Sequence, residues 1–244
     1  MSLVCSSPQR GIVTFTLDNP ANRNALSAGL LDGFAEALDD CGKDPDVRAI
    51  VLTHTGSTFC SGADLREPPD PAVFVGLLRQ ILQLPKPVVA RVDGHVRAGG
   101  LGLLGVCDMA AAGPGASFAL TEVRIGVAPA VISMPLLSRL DPGAASRYFL
   151  TGERFGGAEA ARVGLVAVAG DDVDAELSPL LDGLRKAAPQ ALAETKKLLT
   201  ARVLDAFDHH TDSLVALSAR LFASAEAREG MGAFLERREC PWVL

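Results

Sequence analysis

Apolar residues recur along the chain with two rhythms, every second position and every third or fourth. From Gly11 to Leu17 the pattern alternates, with Val13, Phe15 and Leu17 on one side, as in a half-buried strand. Asp18-Asn19-Pro20 stops it. Ser27 then stands as an N-cap before a helical stripe of Leu30, Leu31, Phe34, Ala37 and Leu38 that reaches about Cys41. Asp44-Pro45-Asp46 breaks that helix, and Arg48 to Thr53 reads as a short apolar strand. A polar loop from His54 to Ser61 leads into Gly62-Ala63-Asp64-Leu65. The prolines of Pro68-Pro69-Asp70-Pro71 form a rigid connector, and a helix over Val73 to Leu84 ends before Pro85.

The segment Lys86 to Asp108 is the centre around which the rest of the chain is organised. Its β-branched Val88, Val89 and Val92 predict a buried strand, Asp93-Gly94 turns the chain, and Gly99-Gly100 open a glycine-rich apolar helix. Short strands are expected at Met109–Ala112 and Ser117–Leu120, then a loop from Thr121 to Ala130. Helices follow at Val131–Leu140, Ala144–Leu150 and Ala158–Val163, with a strand at Leu165–Val168. From Val173 the pattern is helical throughout: Val173–Ala188, Ala191–Arg202, Asp205–Ser224 and Glu226–Arg237. The expectation is a mixed α/β (α+β) fold. Gly170-Asp171-Asp172 is the candidate boundary between a core of residues 1–170 and a helical region of residues 171–244.

Composition narrows the function classes. Hydrophobic residues make up 48% of 244 positions, enough for a substantial core, while 5% aromatics leave few stacking platforms for bases. A net charge of -6 disfavours nucleic acid or an anionic membrane as partner. Five scattered cysteines with no C-x-x-C pair read as reduced thiols. The start of the chain lacks the pattern of a signal peptide and no apolar run suffices for a transmembrane helix, so a cytoplasmic protein is expected. No metal site is expected.

Two glycines at a helix start let a ligand approach bare backbone, where free N–H groups are preorganised donors for negative charge. Gly99 and Gly100 therefore suggest a site for a developing oxyanion, with Glu122 as the carboxylate that moves a proton beside it. From spacing alone Glu122 is equally a buried general acid/base or the partner of Arg124 in a loop ion pair. Gly100 to Gly105 also matches the G-x-G-x-x-G dinucleotide pattern, but the residues Gly94 to Gly99 intervene after the strand and Cys107-Asp108 ends the helix early. His95 reads as structural more readily than as a base, and Ser61 has no evident histidine partner.

Taken together these segments resemble the crotonase (enoyl-CoA hydratase/isomerase) superfamily. The likeness runs through Asn24-Ala25-Leu26-Ser27, then Thr58 to Leu65 and Lys86 to Gly94. It continues through Ala98-Gly99-Gly100, Phe118 to Gly126, Leu150-Thr151-Gly152, Ala160 to Val166 and Glu226 to Arg238. The resemblance implies a spiral of strand-strand-helix turns with a helical C-terminal trimerisation region, and assembly as a homotrimer or a dimer of trimers. It implies an acyl-CoA thioester substrate, with CoA entering only as part of that substrate and no separate cofactor. The thioester oxygen would lie between the backbone N–H groups of Ala63 and Gly99. Arg23, Ala25, Ser61, Gly62, Asp64, Leu65, Gly100 and Gly102 would line the substrate and CoA path, and Arg237 or Arg238 would reach a phosphate.

One departure matters. Members with two acids carry a glutamate where this chain has Gly102, leaving Glu122 alone. Hydration needs both a base for water and an acid for Cα, whereas isomerisation needs one proton carrier. Some members with a similar Glu122-to-Ser133 loop are hydratases, including enzymes of branched, carboxylated enoyl-CoAs, whose carboxylate Arg97 or Arg124 would meet. The expectation is a 2-enoyl-CoA hydratase. A Δ3-Δ2-enoyl-CoA isomerase and a catalytically weak acyl-CoA-binding trimer are the alternatives.

Overall fold

A computed structural model describes residues 3–244; Met1 and Ser2 lie outside them. Among the described residues ten strands form two sheets. In the larger, β1 (Leu3–Cys5), β2 (Ile12–Leu17), β3 (Ala49–His54), β5 (Val88–Val92), β7 (Met109–Ala112) and β10 (Val168–Ala169) lie side by side in that order. β1 pairs antiparallel and the rest parallel. In the smaller, β4 (Thr58–Cys60), β6 (His95–Arg97) and β8 (Ser117–Ala119) run parallel, and β9 (Phe155–Gly156) closes the edge antiparallel.

The chain alternates between the sheets. It passes from β3 to β4, from β5 to β6 and from β7 to β8, each time followed by a helix: α2 (Pro71–Gln83), α3 (Gly99–Val106) and α4 (Ala130–Leu137). These are the turns of a strand-strand-helix spiral. Strands of the larger sheet are apolar on both faces because both are covered. Val13, Phe15, Ile50, Leu52, Val88 and Ala90 enter the main core with α1 (Ala28–Lys43), whereas Ile12, Ala49, Val51, Val89 and Ala111 face α7 (Val173–Lys186). Val173, Leu177 and Leu184 of α7 cover that face, so the first helix after the Gly170 junction shares its core with the sheet.

Several boundaries differ from the sequence reading. The loop His54–Ser61 contains β4, whose three residues are buried, and the turn after Gly94 contains β6; such short strands carry no measurable period. The strand expected at Leu165–Val168 begins only at Val168. Leu165 and Val166 donate back to the Ala160 carbonyl (2.8 and 3.3 Å) and wrap the end of α6 (Gly157–Arg162). The two helices expected over Ala191–Arg202 and Asp205–Ser224 are one, α8 (Pro189–Phe222), 34 residues long. No Gly or Pro separates them, and Val203 and Leu204 pack on the core. α5 (Pro142–Thr151) and α9 (Ala225–Glu236) stand close to their expected places.

Candidate active site

β4, β6 and β8 are parallel neighbours, so their C-terminal ends meet at one place, the usual position of ligand sites in parallel sheets. The chain leaves β4 as Ser61–Leu65, leaves β6 into Ala98-Gly99, and leaves β8 into a 3-10 turn over Glu122–Ile125. Leu26 clamps the first loop: its N–H donates to the Gly62 carbonyl (2.8 Å) and its carbonyl accepts from Asp64 (3.0 Å). In this parallel bridge the enclosed residue, Ala63, turns its own N–H away from Leu26. Gly99 is the first residue of α3, where an amide has no intrahelical partner. Among the described residues neither the Ala63 nor the Gly99 N–H meets a protein acceptor.

The two amides are close. A Cβ built on Gly99 would sit 3.7 Å from the Ala63 nitrogen. A Cβ on Gly62 would lie 2.8 Å from the Ala98 Cβ and 3.2 Å from the Gly99 nitrogen, and Gly62 has φ +93°, so only glycine lets the loops approach. Ala98 holds φ +48°, a left-handed φ uncommon for alanine, at the entry to α3.

Glu122 opens the 3-10 turn and is 7% exposed. Its Oε2 has no hydrogen-bond partner, and burial pushes the carboxyl up to about 7. Arg124 is not its partner; the Arg124 Nε–H donates to the Thr151 carbonyl at 3.1 Å. Of the two readings open in the sequence, the buried carboxyl is the one found.

Ala63, Gly99 and Glu122 open onto one cleft of about 880 Å³. Arg23, Ala25, Ser61, Asp64 and Leu65 line it as expected. Asp64 also shapes its own loop: it accepts from Asn22 Nδ2 (2.8 Å) and the Arg66 amide (3.0 Å), contacts that hold its carboxyl below the usual range. Gly62, Gly100 and Gly102, expected on the substrate path, are absent from the cleft wall. Gly62 packs against Ala98, and Gly100 against Cys60, whose carbonyl would lie 2.7 Å from an added Cβ. At Gly102 an added Cβ would meet Ile132 Cγ2 at 2.4 Å and Phe74 Cζ at 3.5 Å. Two cleft-lining apolar side chains thus fill the space beside Gly102. Arg237 and Arg238 also stay out of the cleft; Arg238 pairs with Glu229 and Glu236.

Other contributors were not singled out from sequence. Met231, Phe234 and Leu235 bring the apolar side of α9 to the cleft. Asn24 is buried and fixes the Leu26 loop, donating to the Thr55 and Thr58 carbonyls (3.1 and 2.7 Å) and accepting from the Asn19 amide (2.7 Å). Its place in the Asn24-Ala25-Leu26-Ser27 motif was the available signal. Among the described residues no His, Cys, Asp and Glu side chains gather as metal ligands, and no helix is long and apolar enough to cross a membrane.

Comparison with known proteins identifies the family of the chain. The sequence model of the enoyl-CoA hydratase/isomerase family matches residues 7–243. An enoyl-CoA hydratase structure from Mycobacterium avium superposes with a TM-score of 0.93 at 47% identity, covering 99% of both chains. The Pongo abelii protein named "Enoyl-CoA hydratase, mitochondrial" is 30% identical over 241 residues, 91% of this chain and 80% of that one. A carnitinyl-CoA dehydratase of Salmonella heidelberg is 32% identical over 250 residues, 95% and 94% of the two chains. With nearly its whole length matched, and with the strand-strand-helix spiral of those structures, the chain belongs to the enoyl-CoA hydratase/isomerase family.

Proposed function

We propose that the chain hydrates a 2-enoyl-CoA thioester with Glu122 as its single acid/base and the Ala63 and Gly99 amides as its oxyanion hole. One observation carries this reading: a buried carboxyl with an unpartnered oxygen shares a cleft with two backbone N–H groups that have no acceptor. The thioester oxygen accepts from both amides. Glu122, as carboxylate, takes a proton from water while the water oxygen bonds to C3. The C2–C3 π electrons move onto the thioester as an enolate, and the amides bind the developing charge; one such donor contributes about 3 kcal/mol. Glu122 then returns its proton to C2, which regenerates the carboxylate and completes the addition of one water. CoA takes part only as the carrier, along the wall made by Arg23, Ala25, Asp64 and Leu65.

The packing of Ile132 and Phe74 over Gly102 supports a second reading, a Δ3-Δ2-enoyl-CoA isomerase, since one carboxyl suffices to carry a proton between C4 and C2. Product mass separates them: incubation with a 2-enoyl-CoA adds one water in hydration, whereas a 3-enoyl-CoA converted with no mass change identifies the isomerase. Hydration without isomerisation is expected, and a mass-neutral product alone overturns it.

The working unit in this proposal is a homotrimer or a dimer of trimers. Large apolar side chains left open on α8, Leu198 (80% exposed) and Leu199 (73%), support assembly.

A further inference from the structure

The smaller sheet turns a cationic face to the cleft. Alternation along its strands sends Val96, Phe118 and Phe155 into the core. His95, Arg97, Ser117 and Ala119 take the other face. The register sets His95 beside Ser117 and Ser117 beside Gly156, with Arg97 beside Ala119 in the next row. Arg154, one residue before β9, continues that second row. Small residues (Ser117, Ala119, Gly156) therefore lie in the sheet between His95 and Arg97 on one flank and Arg154 on the other, without lining the cleft themselves. His95, Arg97 and Arg154 all line the cleft.

Arg97 and Arg154 have no ion-pair partner among the described residues. Arg97 spends three of its five N–H donors within the sheet, Nη1 on the Val96 and Ser117 carbonyls (2.9 and 2.6 Å) and Nη2 on Ser117 Oγ (2.8 Å). Its Nε–H and one Nη2–H remain. Arg154 makes no hydrogen bond or ion pair among the described residues, and no carboxylate pairs with either. Burial and the neighbouring Arg154 push Arg97 down to about 10, so it stays charged at neutral pH while repelled by its neighbour. Burial and the same two guanidinium groups hold His95 below the usual imidazole range. His95 Nδ1 lies 2.9 Å from Ser117 Oγ. An oxyanion held between the flanks would offset the repulsion between Arg97 and Arg154 through charge-assisted hydrogen bonds.

We propose that Arg97 and Arg154, on either side of β8 and beside His95, form an anion subsite for a carboxylate or phosphate group of the thioester substrate, remote from its reacting carbons. Arg97 hydrogen-bonds at the level of Ser117, opposite His95, four residues before Gly99. At about 3.3 Å per strand residue this is on the order of 10 Å from the oxyanion amides. A terminal carboxylate on the acyl chain or a phosphate on the carrier arm reaches that far. The subsite rests on reading the cleft as an acyl-CoA site.

Calorimetric binding separates the two sources and needs no turnover. The probes are octanoyl-CoA, octanoyl-pantetheine, which lacks the phosphates, and suberyl-CoA, which adds a terminal carboxylate. The proteins are wild type, Arg97→Gln, Arg97→Lys and Arg154→Gln; Arg154 bonds nothing in the fold, so its variant keeps the test sound if Arg97→Gln unfolds. For an acyl carboxylate, wild type binds suberyl-CoA about tenfold more tightly than octanoyl-CoA, through charge-assisted bonds. For a carrier phosphate, the same preference separates octanoyl-CoA from octanoyl-pantetheine. In either case Arg97→Gln and Arg154→Gln abolish the preference and Arg97→Lys keeps part of it. Affinities unchanged in both glutamine variants overturn the subsite, and so does a change in sedimentation mass without a change in affinity, because a neighbouring copy then supplies the counter-charge. Failure of wild type to bind any of the three removes the acyl-CoA reading itself and the subsite with it.

Discussion

A carboxyl group shielded from water and lacking a partner for one oxygen resists ionisation, and Glu122 shows this resistance as a rise from 4.5 to about 7. The folded chain therefore holds this proton to higher pH than the unfolded chain does. Between pH 4.5 and 7 the folded state binds more protons, so this residue lowers stability as pH rises through that window and by a constant amount above it. Glu122→Gln should thus melt higher than wild type at pH 8, by up to about 3 kcal/mol from the size of the shift, with the gain shrinking toward pH 4. Calorimetric melting at the two pH values checks it. The same variant should lose hydration by about a hundredfold or more. Wild-type kcat/KM for hydration should fall tenfold per unit below about pH 7, because the step starts from the carboxylate. A variant that is both firmer and inactive marks a residue kept for chemistry. At Gly102 an added Cβ would intrude on Ile132, so Gly102→Ala should destabilise by about 1–3 kcal/mol, and Ile132→Ala in the same chain should return part of it. Glu122 and Gly99 were legible because loop position and glycine pairing are local. The filling of the space at Gly102 was not, since it depends on Ile132 thirty positions on and Phe74 in another helix.

Elements hold these residues in place by contacts that the pattern of one segment does not reveal. α9 lies against the Glu122 turn: a Cβ on Gly230 would come within 2.4 Å of the Ile125 carbonyl oxygen, and one on Gly126 within 2.7 Å of the Glu226 oxygen. Gly230→Ala must push α9 off the turn that carries Glu122. It should lower kcat more than it raises KM for a 2-enoyl-CoA, because Gly230 is not part of the cleft wall. Equal loss of kcat in a distant surface alanine variant of α9 would show the effect to be unspecific. α8 is anchored differently. Lys196, 3% exposed, pairs with Asp108 at 2.8 Å and donates to the Lys86 carbonyl at 3.0 Å, while Asp108 also accepts from the Val88 amide at 2.7 Å. Lys196→Ala leaves that carboxylate nearly buried and unpaired, and should destabilise by about 3–5 kcal/mol in urea unfolding. The helices and longer strands were legible because their periods exceed a turn or two. The three-residue strands β4 and β6 were hidden, although with β8 they carry the site, since pairing with neighbours rather than their own pattern defines them; β8 lies within the strand expected at Ser117–Leu120. α8 reads as two helices in the sequence because its first half buries polar Lys196 and Thr200 while Leu198 and Leu199 stand exposed, so the apolar pattern there does not mark the buried face, which continues unbroken through Val203 to Phe207.

The whole molecule exposes more apolar surface than its spiral core requires. Leu198 and Leu199 stand open on α8, Leu137 on α4 and Leu150 on α5, and the C-terminal Trp242, Val243 and Leu244 add to them. Each such leucine would gain about 2 kcal/mol on full burial, so several of them together outweigh the loss of freedom on association. The net charge of -6 opposes contact between copies, and added salt screens that repulsion. Sedimentation equilibrium at physiological ionic strength should therefore give three times 25.4 kDa, or twice that again, with smaller species growing as salt is removed. Leu198→Lys together with Leu199→Lys places cations on the open face of α8. If α8 forms the contact, this variant sediments at a lower mass yet keeps its melting temperature within a few degrees, since neither side chain belongs to the folded core. A wild-type chain that stays at 25.4 kDa over micromolar concentrations would mean that the exposed leucines have another purpose, and that Glu122, the two amides and the α9 wall work within a single copy.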